Sequence, residues 1–298
     1  MSPDTETGAR QIPAAQAALF AGARPHMQRL AGRTIVVKHG GSTMARGGRL
    51  WEELLVLQGM GVRPIVVHGG GPEITAMLND LQVPVQFVDG LRVTDAAVLD
   101  VATMILGAKI NKRLVAELNA NGGKAIGLTG IDGNLLVVEK AKHAQDLGFV
   151  GDVVGVNVAL LNQLTAAGYI PVIAPLGIDT AGQTYNVNAD SAAAAVAGAL
   201  QAAVLALVTD VPGLYRQEAD GQKTVIPRIT PAGIDDLIAQ GQIKGGMVPK
   251  VKGCLAAMTQ GVERIQILDG GQPYPLLQAL LTDDGCGTTV VNEVSDAR

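Results

Sequence analysis

The stretch "IVVKHGGSTM" (35–44) joins an apolar run to one lysine and a pair of glycines, and "IVVHGGGPEI" (65–74) repeats the pattern with His68 and three glycines. Apolar runs that are continuous rather than alternating suit strands covered on both faces. A strand that ends in a charged residue and bare backbone can gather amide N–H groups around an anion. Two such ends, close in sequence, point to two anionic groups held side by side.

Similar runs recur along the chain: "AIGL" (125–128), "LLVVE" (135–139), "IPVIAPL" (170–176), "VLALVTD" (204–210) and "RIQILD" (264–269). Helical patterns separate them, among them "DAAVLDVATMILGAKINKRLVAELNAN" (95–121) and "NADSAAAAVAGAL" (188–200). The alternation predicts an α/β fold, a three-layer sandwich with a central, mainly parallel sheet. Residues 135–157 break the rhythm and read as a β-hairpin or small antiparallel excursion. Apolar spacing from Ala14 to Leu30 predicts a surface helix that either caps the core or pairs with another subunit. A boundary near Gly177 divides the chain into two lobes, 31–177 and 178–298, after the N-terminal helical segment 1–30.

The totals exclude several classes. Of the 298 residues, 48% are hydrophobic and 17% charged, a globular composition rather than a disordered one. Aromatics at 3% leave no surface for stacking bases, and a net charge of −4 argues against nucleic-acid binding. The two cysteines, Cys254 and Cys286, have no metal-ligand spacing and fit a reducing compartment. The start "MSPDTETGAR" is polar, unlike a secretory signal. Ser191–Thr209 is uncharged but alanine-rich, better read as a helix followed by a strand than as a membrane span. These features place the chain in the cytoplasm.

Neither common nucleotide fingerprint, G-x-x-x-x-G-K-[ST] or G-x-G-x-x-G, occurs. The chemistry must come from elsewhere. Ligands of doubly wound sheets bind beyond the carboxyl ends of strands, where Lys38 and the Gly40-Gly41 pair stand. On its own that pair also suits a tight turn. Gly69-Gly70-Gly71 then leads into a helix whose first turn begins near Pro72, which supplies free N–H groups and a positive dipole end. His68 reads as a strand-end histidine bonded into the core. Arg92, in "DGLRVTD" (89–95), offers a planar fork for a carboxylate. In "TYNVNAD" (184–190) one residue can cap the following helix, but Asn186, Asn188 and Asp190 are more polar groups than one cap needs. "IKGGMVPKVKG" (243–253) sets Gly245-Gly246 before a helix with Lys250 near its N-terminus, a place that the helix dipole disfavours and a bound phosphate would explain. "VTDVPGLY" (208–215) ends another strand with Asp210 and a Pro-Gly turn, suited to the rim of a nucleotide pocket. Two lysines, glycine loops, an arginine and an Asn/Asp cluster, with no nucleophile, metal triad or general base, fit phosphoryl transfer. An ionised carboxylate is the natural acceptor, because it needs no base.

These motifs resemble the amino acid kinase family, and within it the members that phosphorylate N-acetyl-L-glutamate. The resemblance runs from about Ala14 to Val291 on "VVKHGG", "VVHGGGPEI", "GLRVTD", "GGKAIGLTGIDG", "DLGFVGDV", "IPVIAPLG", "TYNVNADSAA", "LVTDVPGLY" and "GGMVPKV", in that order. It implies ATP as donor, with Mg2+ carried by the nucleotide and no protein metal site. It implies N-acetyl-L-glutamyl 5-phosphate as product, in arginine biosynthesis. By resemblance, Lys38 and Lys250 stabilise the transferring phosphoryl group and Asp190 orients both. Gly40 and Gly41 bind γ-phosphate through backbone N–H. Gly70, Gly71, Arg92 and Asn186 hold the acceptor, and Thr209, Asp210, Tyr215 and Met247 border the nucleotide. His39 stands where the family usually has tyrosine or leucine, a change that backbone binding should tolerate.

The resemblance also implies a homo-oligomer, a dimer or a hexamer joined through the N-terminal helix, with a nitrogen-signalling protein as a partner of some relatives. Arginine-inhibited members carry D-G-R-x-P-H-x-L-L-L-E-x-F-T-D-x-G-x-G-T. Here "DGGQPYPLLQALLTDDGCGT" (269–288) has Gly271, Tyr274, Ala279 and Leu281 in place of the arginine, histidine, glutamate and phenylalanine. Ala279 cannot pair with a guanidinium, so weak or altered arginine inhibition is expected. Two other readings stand beside the leading one. One is a kinase for a longer acylated acidic amino acid such as an aminoadipate derivative; the other is a non-catalytic amino-acid sensor, which would not need both lysines.

Overall fold

The computed structural model describes residues 14–44, 49–217, 222–245, 247–283 and 285–292. Its centre is an eight-stranded sheet in the order Arg228–Ile229, Thr288–Val291, Arg264–Asp269, Val204–Thr209, Thr34–His39, Arg63–His68, Ile170–Ala174, Ala125–Thr129. The six strands from Arg264–Asp269 to Ala125–Thr129 pair in parallel. Thr288–Val291 runs antiparallel to its neighbour Arg264–Asp269 and carries Arg228–Ile229 at the edge. These two edge strands are too short or too mixed in polarity to stand out in the sequence.

The apolar runs are buried on both faces, as their lack of alternation requires. Ile35 and Val37 enter one core while Val36 enters the other; Val66 faces one way, Ile65 and Val67 the opposite way. One core is closed by Leu54, Leu57, Leu78, Leu114 and Leu118 from helices Leu50–Gly59, Gly71–Asp80 and Asn111–Ala120. The other is closed by Leu161, Ala193, Val196, Leu237 and Val251 from helices Val158–Ala166, Ala189–Ala199, Pro231–Ala239 and Met247–Thr259. The result is the expected three-layer α/β sandwich. Each fully buried Val, Ile or Leu contributes about 1.5–3 kcal/mol relative to exposure.

Residues 135–157 do form an antiparallel pair, Leu136–Lys140 with Val150–Val156. They also close with Leu176–Ile178 and Thr184–Val187 into a four-stranded barrel. The run "IPVIAPL" therefore splits at Pro175, its first part in the main sheet and its second in the barrel. Gly177 lies within the barrel strand Leu176–Ile178, and the eight-stranded sheet draws strands from both sides of it. Ala14–Leu30 is helical; Ala23, His26 and Leu30 are buried, while Leu19 and Phe20 are 64% and 69% exposed.

The 95–121 pattern is a helical run whose middle, Met104–Ile110, is π-helical. Asp95 starts it, its carboxylate accepting from Val98 N at 2.9 Å. The π stretch presses Leu106 and Ile110 against Gly70: a Cβ there would come within 2.5 Å of Ile110 Cδ1 and 2.6 Å of Leu106 Cδ2. Glu53 ties distant parts of the chain together. It is buried and accepts from Leu276 N at 2.7 Å and Leu277 N at 2.9 Å, at the start of helix Pro275–Leu281. Burial raises its pKa to about 7 against the opposing pull of those two N–H donors.

Two outcomes follow from this packing. Ile65→Ala, in the centre of the sheet, lowers unfolding stability by about 2–5 kcal/mol in urea titration, while Val56→Ala, on a half-exposed helix position, stays within about 0.5 kcal/mol. Native Glu53 holds a proton between its ordinary value of 4.5 and about 7 that the unfolded chain releases. Stability therefore falls as pH rises through that window, and Glu53→Gln flattens the dependence in urea midpoints measured from pH 5 to pH 8.

Candidate active site

The parallel strands deliver their carboxyl ends to one edge of the sheet. Thr34–His39 lies between Val204–Thr209 and Arg63–His68, so the loops at 40–41, 69–71 and 210–213 emerge side by side. The two glycine loops touch. Gly69 N donates to His39 O at 2.9 Å, and a Cβ on Gly41 would meet Pro72 Cδ at 3.0 Å and Gly70 N at 3.3 Å. Such an approach of backbone to backbone leaves no room for side chains.

Lys38 sits one residue before the end of its strand, its stem inside the sheet and only 8% of its surface exposed. Its Nζ lies 2.9 Å from Asp190 Oδ1, a close charge contact rather than an aligned hydrogen bond. Lys250 Nζ donates to the other carboxylate oxygen, Oδ2, at 2.6 Å. One carboxylate thus bridges two ammonium groups. Asn188 makes this possible: it caps helix Ala189–Ala199, its Oδ1 accepting from Asp190 N at 2.9 Å and Ser191 N at 3.1 Å. With the cap supplied, the Asp190 side chain is free for the lysines.

The electrostatics are those of a coupled trio. Burial lowers the Lys38 pKa, Asp190 opposes the fall, and the Lys250 charge adds to it, for a net decrease. For Asp190, burial pushes upward, but the charges of Lys38 and then Lys250 outweigh it and hold the carboxyl below its usual range. Asp190 offsets part of what burial costs the Lys38 charge.

A cavity of about 210 Å³ opens beside the trio, lined by Lys38, Gly41, Gly70, Arg92, Asn186 and Asp190 with several neighbours. Arg92 enters from the short hairpin Phe87–Val88/Leu91–Arg92, paired directly with Phe87, whose ring it covers at 4.6 Å. Its Nη2 donates to Gly71 O at 3.0 Å and Thr75 Oγ1 at 2.8 Å. Nη1 is buried without a hydrogen-bond partner. A buried guanidinium N–H left open at a cavity wall is a receptor for an anion. Asn186 Nδ2 donates to Thr94 Oγ1 at 3.2 Å, and Thr94 in turn to Arg92 O at 2.9 Å.

His68 is wholly buried, bonded through Nδ1 to Gly69 O at 2.9 Å and through Nε2 to Asn111 Nδ2 at 3.3 Å. Burial lowers its pKa to about 4, so it stays neutral and structural. His39, lowered by burial to about 3, is likewise enclosed.

A second cavity, of about 380 Å³, brings together Tyr215, Met247, Leu214, Ile243, Lys223 and Lys244 with their neighbours. Thr209 and Asp210 precede it on the strand-end loop, Thr209 Oγ1 donating to Asp210 Oδ1 at 3.1 Å. Met247 and Lys250 share the first turn of helix Met247–Thr259. Gly246 lies outside the described residues.

Gly40 N donates to Val208 O at 3.0 Å, which extends the sheet pairing by one hydrogen bond. Gly41, at the start of helix Gly41–Met44, is the member of the pair that lines the cavity. Four contributors escaped the sequence reading: Thr94, Thr75, Phe87 and Asn111. Thr94 stood inside "GLRVTD", and Asn111 was visible as a polar residue on the apolar face of a helix; nothing local marked Thr75 or Phe87. Among the described residues, no three His, Cys, Asp or Glu side chains converge as metal ligands, and no helix is long and apolar enough to cross a membrane.

The chain is similar to several characterised proteins. Acetylglutamate kinase of Symbiobacterium thermophilum is 43% identical over 286 residues, covering 93% of this chain and 97% of the relative. The acetylglutamate kinase of Desulforamulus reducens is 44% identical, covering 94% and 99%. Among solved structures, N-acetylglutamate synthase from Neisseria gonorrhoeae complexed with coenzyme A and N-acetyl-glutamate superposes with a TM-score of 0.80 at 26% identity, over 94% of this chain and 64% of that one. Carbamate kinase from Giardia lamblia shares the fold, with a TM-score of 0.64 at 15% identity over 89% of this chain and 100% of that one. Residues 33–269 match the model of the amino acid kinase family, and with relatives this similar along their whole length, the chain belongs to that family.

Proposed function

We propose that the chain transfers the γ-phosphoryl group of ATP to the side-chain carboxylate of N-acetyl-L-glutamate, giving N-acetyl-L-glutamyl 5-phosphate and ADP in arginine biosynthesis. The observation that carries the reading is the Lys38–Asp190–Lys250 bridge at the wall of a cavity that also holds an unpartnered Arg92 N–H.

The acceptor lies in the smaller cavity. Arg92 Nη1 takes one carboxylate, and Asn186, its nitrogen engaged with Thr94, offers its oxygen to the acetamido N–H. Gly70 and Gly71 keep the floor bare and present the helix N-terminus to the second carboxylate. That carboxylate is ionised and attacks the γ-phosphorus directly, so no base is required. Lys38 and Lys250, held apart by Asp190, neutralise charge spread over the transferring oxygens from two sides. Gly41 N–H, rather than that of Gly40, is the better placed of the pair to add to this. ATP occupies the larger cavity, its base beside Tyr215 and Met247 and its phosphates directed past Thr209 and Asp210 toward the lysines. Mg2+ suits this donor set as an ion carried by the nucleotide phosphates, because Asp190 is committed to the lysines; when bound it neutralises phosphate charge. Positioning and charge neutralisation together make up the catalysis.

Residues 31–177 on this reading carry the acceptor and 178–298 the nucleotide, while segment 1–30 joins subunits of a homo-oligomer through its exposed Leu19 and Phe20. The supporting relatives leave the longer-acceptor kinase and the silent sensor without a comparable observation in their favour.

Two measurements test the site. ADP release from ATP and magnesium occurs with N-acetyl-L-glutamate and not with glutamate, and kcat falls about 10²–10³-fold in Lys38→Ala and in Lys250→Ala. Turnover with N-acetyl-aminoadipate alone moves the acceptor, and none at all removes the activity. Arg92→Ala raises the KM for N-acetyl-L-glutamate about 10–100-fold, the size of a lost charge-assisted hydrogen bond, with the KM for ATP unchanged.

A further inference from the structure

A third cavity, of about 400 Å³, lies between helices Leu50–Gly59 and Asn111–Ala120 and shares no lining residue with the two site cavities. Met44, Leu50 and Leu114 give it aliphatic walls and Trp51 an aromatic one. His39 lies in the lining too, at the position where the resemblance places tyrosine or leucine. Apolar and aromatic walls with a placed polar group are the make-up of a small-molecule pocket. The ions at the rim are spent on one another. Arg113 Nη2 donates to Glu73 Oε1 at 2.8 Å, and Arg113 Nε lies 3.8 Å from Glu117 Oε1. Glu117 Oε2 accepts from Trp51 Nε1 at 3.1 Å, so the indole has no donor left and offers its ring.

His39 sets what the cavity can accept. It is 7% exposed, and burial holds its pKa near 3, so the imidazole is neutral, with one N–H and one bare nitrogen. Thr43 Oγ1 donates its single proton to Gly40 O at 2.8 Å. Toward His39 Nδ1, 3.3 Å away, that hydroxyl can therefore only accept. The imidazole proton sits on Nδ1, and Nε2 is the bare acceptor. Among the described residues no group donates to it. A buried acceptor without a donor costs stability until a donor reaches it. The Trp51 ring meets the imidazole at 83°, centroids 5.5 Å apart, so an aromatic surface stands beside that acceptor.

We propose that this cavity binds a small, uncharged heteroaromatic ring, which donates one N–H to His39 Nε2 and packs against Trp51, Leu50 and Leu114. A charged ligand gains little from a rim whose ions are already paired, and an aliphatic amide brings the donor without the planar contact. The site does not depend on the reaction proposed above.

Trp51 is the one tryptophan of the chain, so its emission reports the cavity directly. The full chain is titrated at neutral pH with benzimidazole and with 1-methylbenzimidazole, the same ring without its N–H, each with and without saturating ADP. Benzimidazole changes the emission saturably, and the methylated ring binds at least about fivefold more weakly, the size of one hydrogen bond. His39→Phe keeps an aromatic ring against Trp51 but removes the acceptor, and it brings the two affinities together at the weaker value. Ala120→Phe, at an exposed position of the lining, narrows the mouth and weakens both rings. ADP leaves every affinity within about twofold, as for distant sites. The proposal is overturned by no saturable change, by equal affinity of the two rings in the wild type, or by a preference for the N–H ring that survives His39→Phe. Loss of binding on adding ADP overturns it as well, since the ring then sits in the nucleotide cavity.

Discussion

Everything in the catalytic region depends on one carboxylate shared by two ammonium groups. Lys38 and Lys250 repel each other, and burial further disfavours the charge of Lys38. Asp190, with one oxygen toward each lysine at 2.9 and 2.6 Å, holds them together. The fold supplies the three members from three separate elements. Lys38 comes from a central strand, Asp190 from the first turn of a helix capped by its neighbour Asn188, and Lys250 from the first turn of another. Asp190 gains from its own helix dipole, and this offsets part of what Lys250 loses at its own.

The same economy explains the glycines. Two strand-end loops pack so closely that Gly41, Gly69 and Gly70 contact one another, Pro72, Leu106 and Ile110. The π-helical turn at Met104–Ile110 brings those last two side chains to Gly70, and Asn111, just beyond it, anchors the helix to Val172 O at 2.8 Å and to His68. The glycine loop is therefore positioned from beneath by a buried polar pair, a network whose members are all hydrogen-bonded and so resist displacement.

How much of this was legible in the sequence follows from the range over which each signal acts. The apolar runs announced the parallel sheet because burial on both faces removes alternation within five or six residues. Lys38, Asp190 and Lys250 stood out as charges beside glycines or at helix starts, where local stability offers no reason for them. The barrel was only half visible: its hairpin is local, but Leu176–Ile178 and Thr184–Val187 join it through pairings that no short pattern encodes. Gly40 shows the converse limit. Its N–H extends the pairing with the neighbouring strand through Val208 O, a fact of register rather than composition. Phe87 and Thr75 were silent because their roles exist only once Arg92 is in place between them.

Charge is distributed by place rather than by total. The chain carries a net charge of −4, yet both site cavities have positive groups in their walls: Lys38 and Arg92 in the first, Lys223 and Lys244 in the second. A net negative surface leaves long-range steering of anions weak, and salt screens what remains beyond about 8–10 Å. Recognition must then come from short-range, desolvated contacts. The unpartnered Arg92 Nη1 shows the consequence: an N–H that costs stability while empty becomes, when a carboxylate arrives, a bond made in a site where water no longer competes.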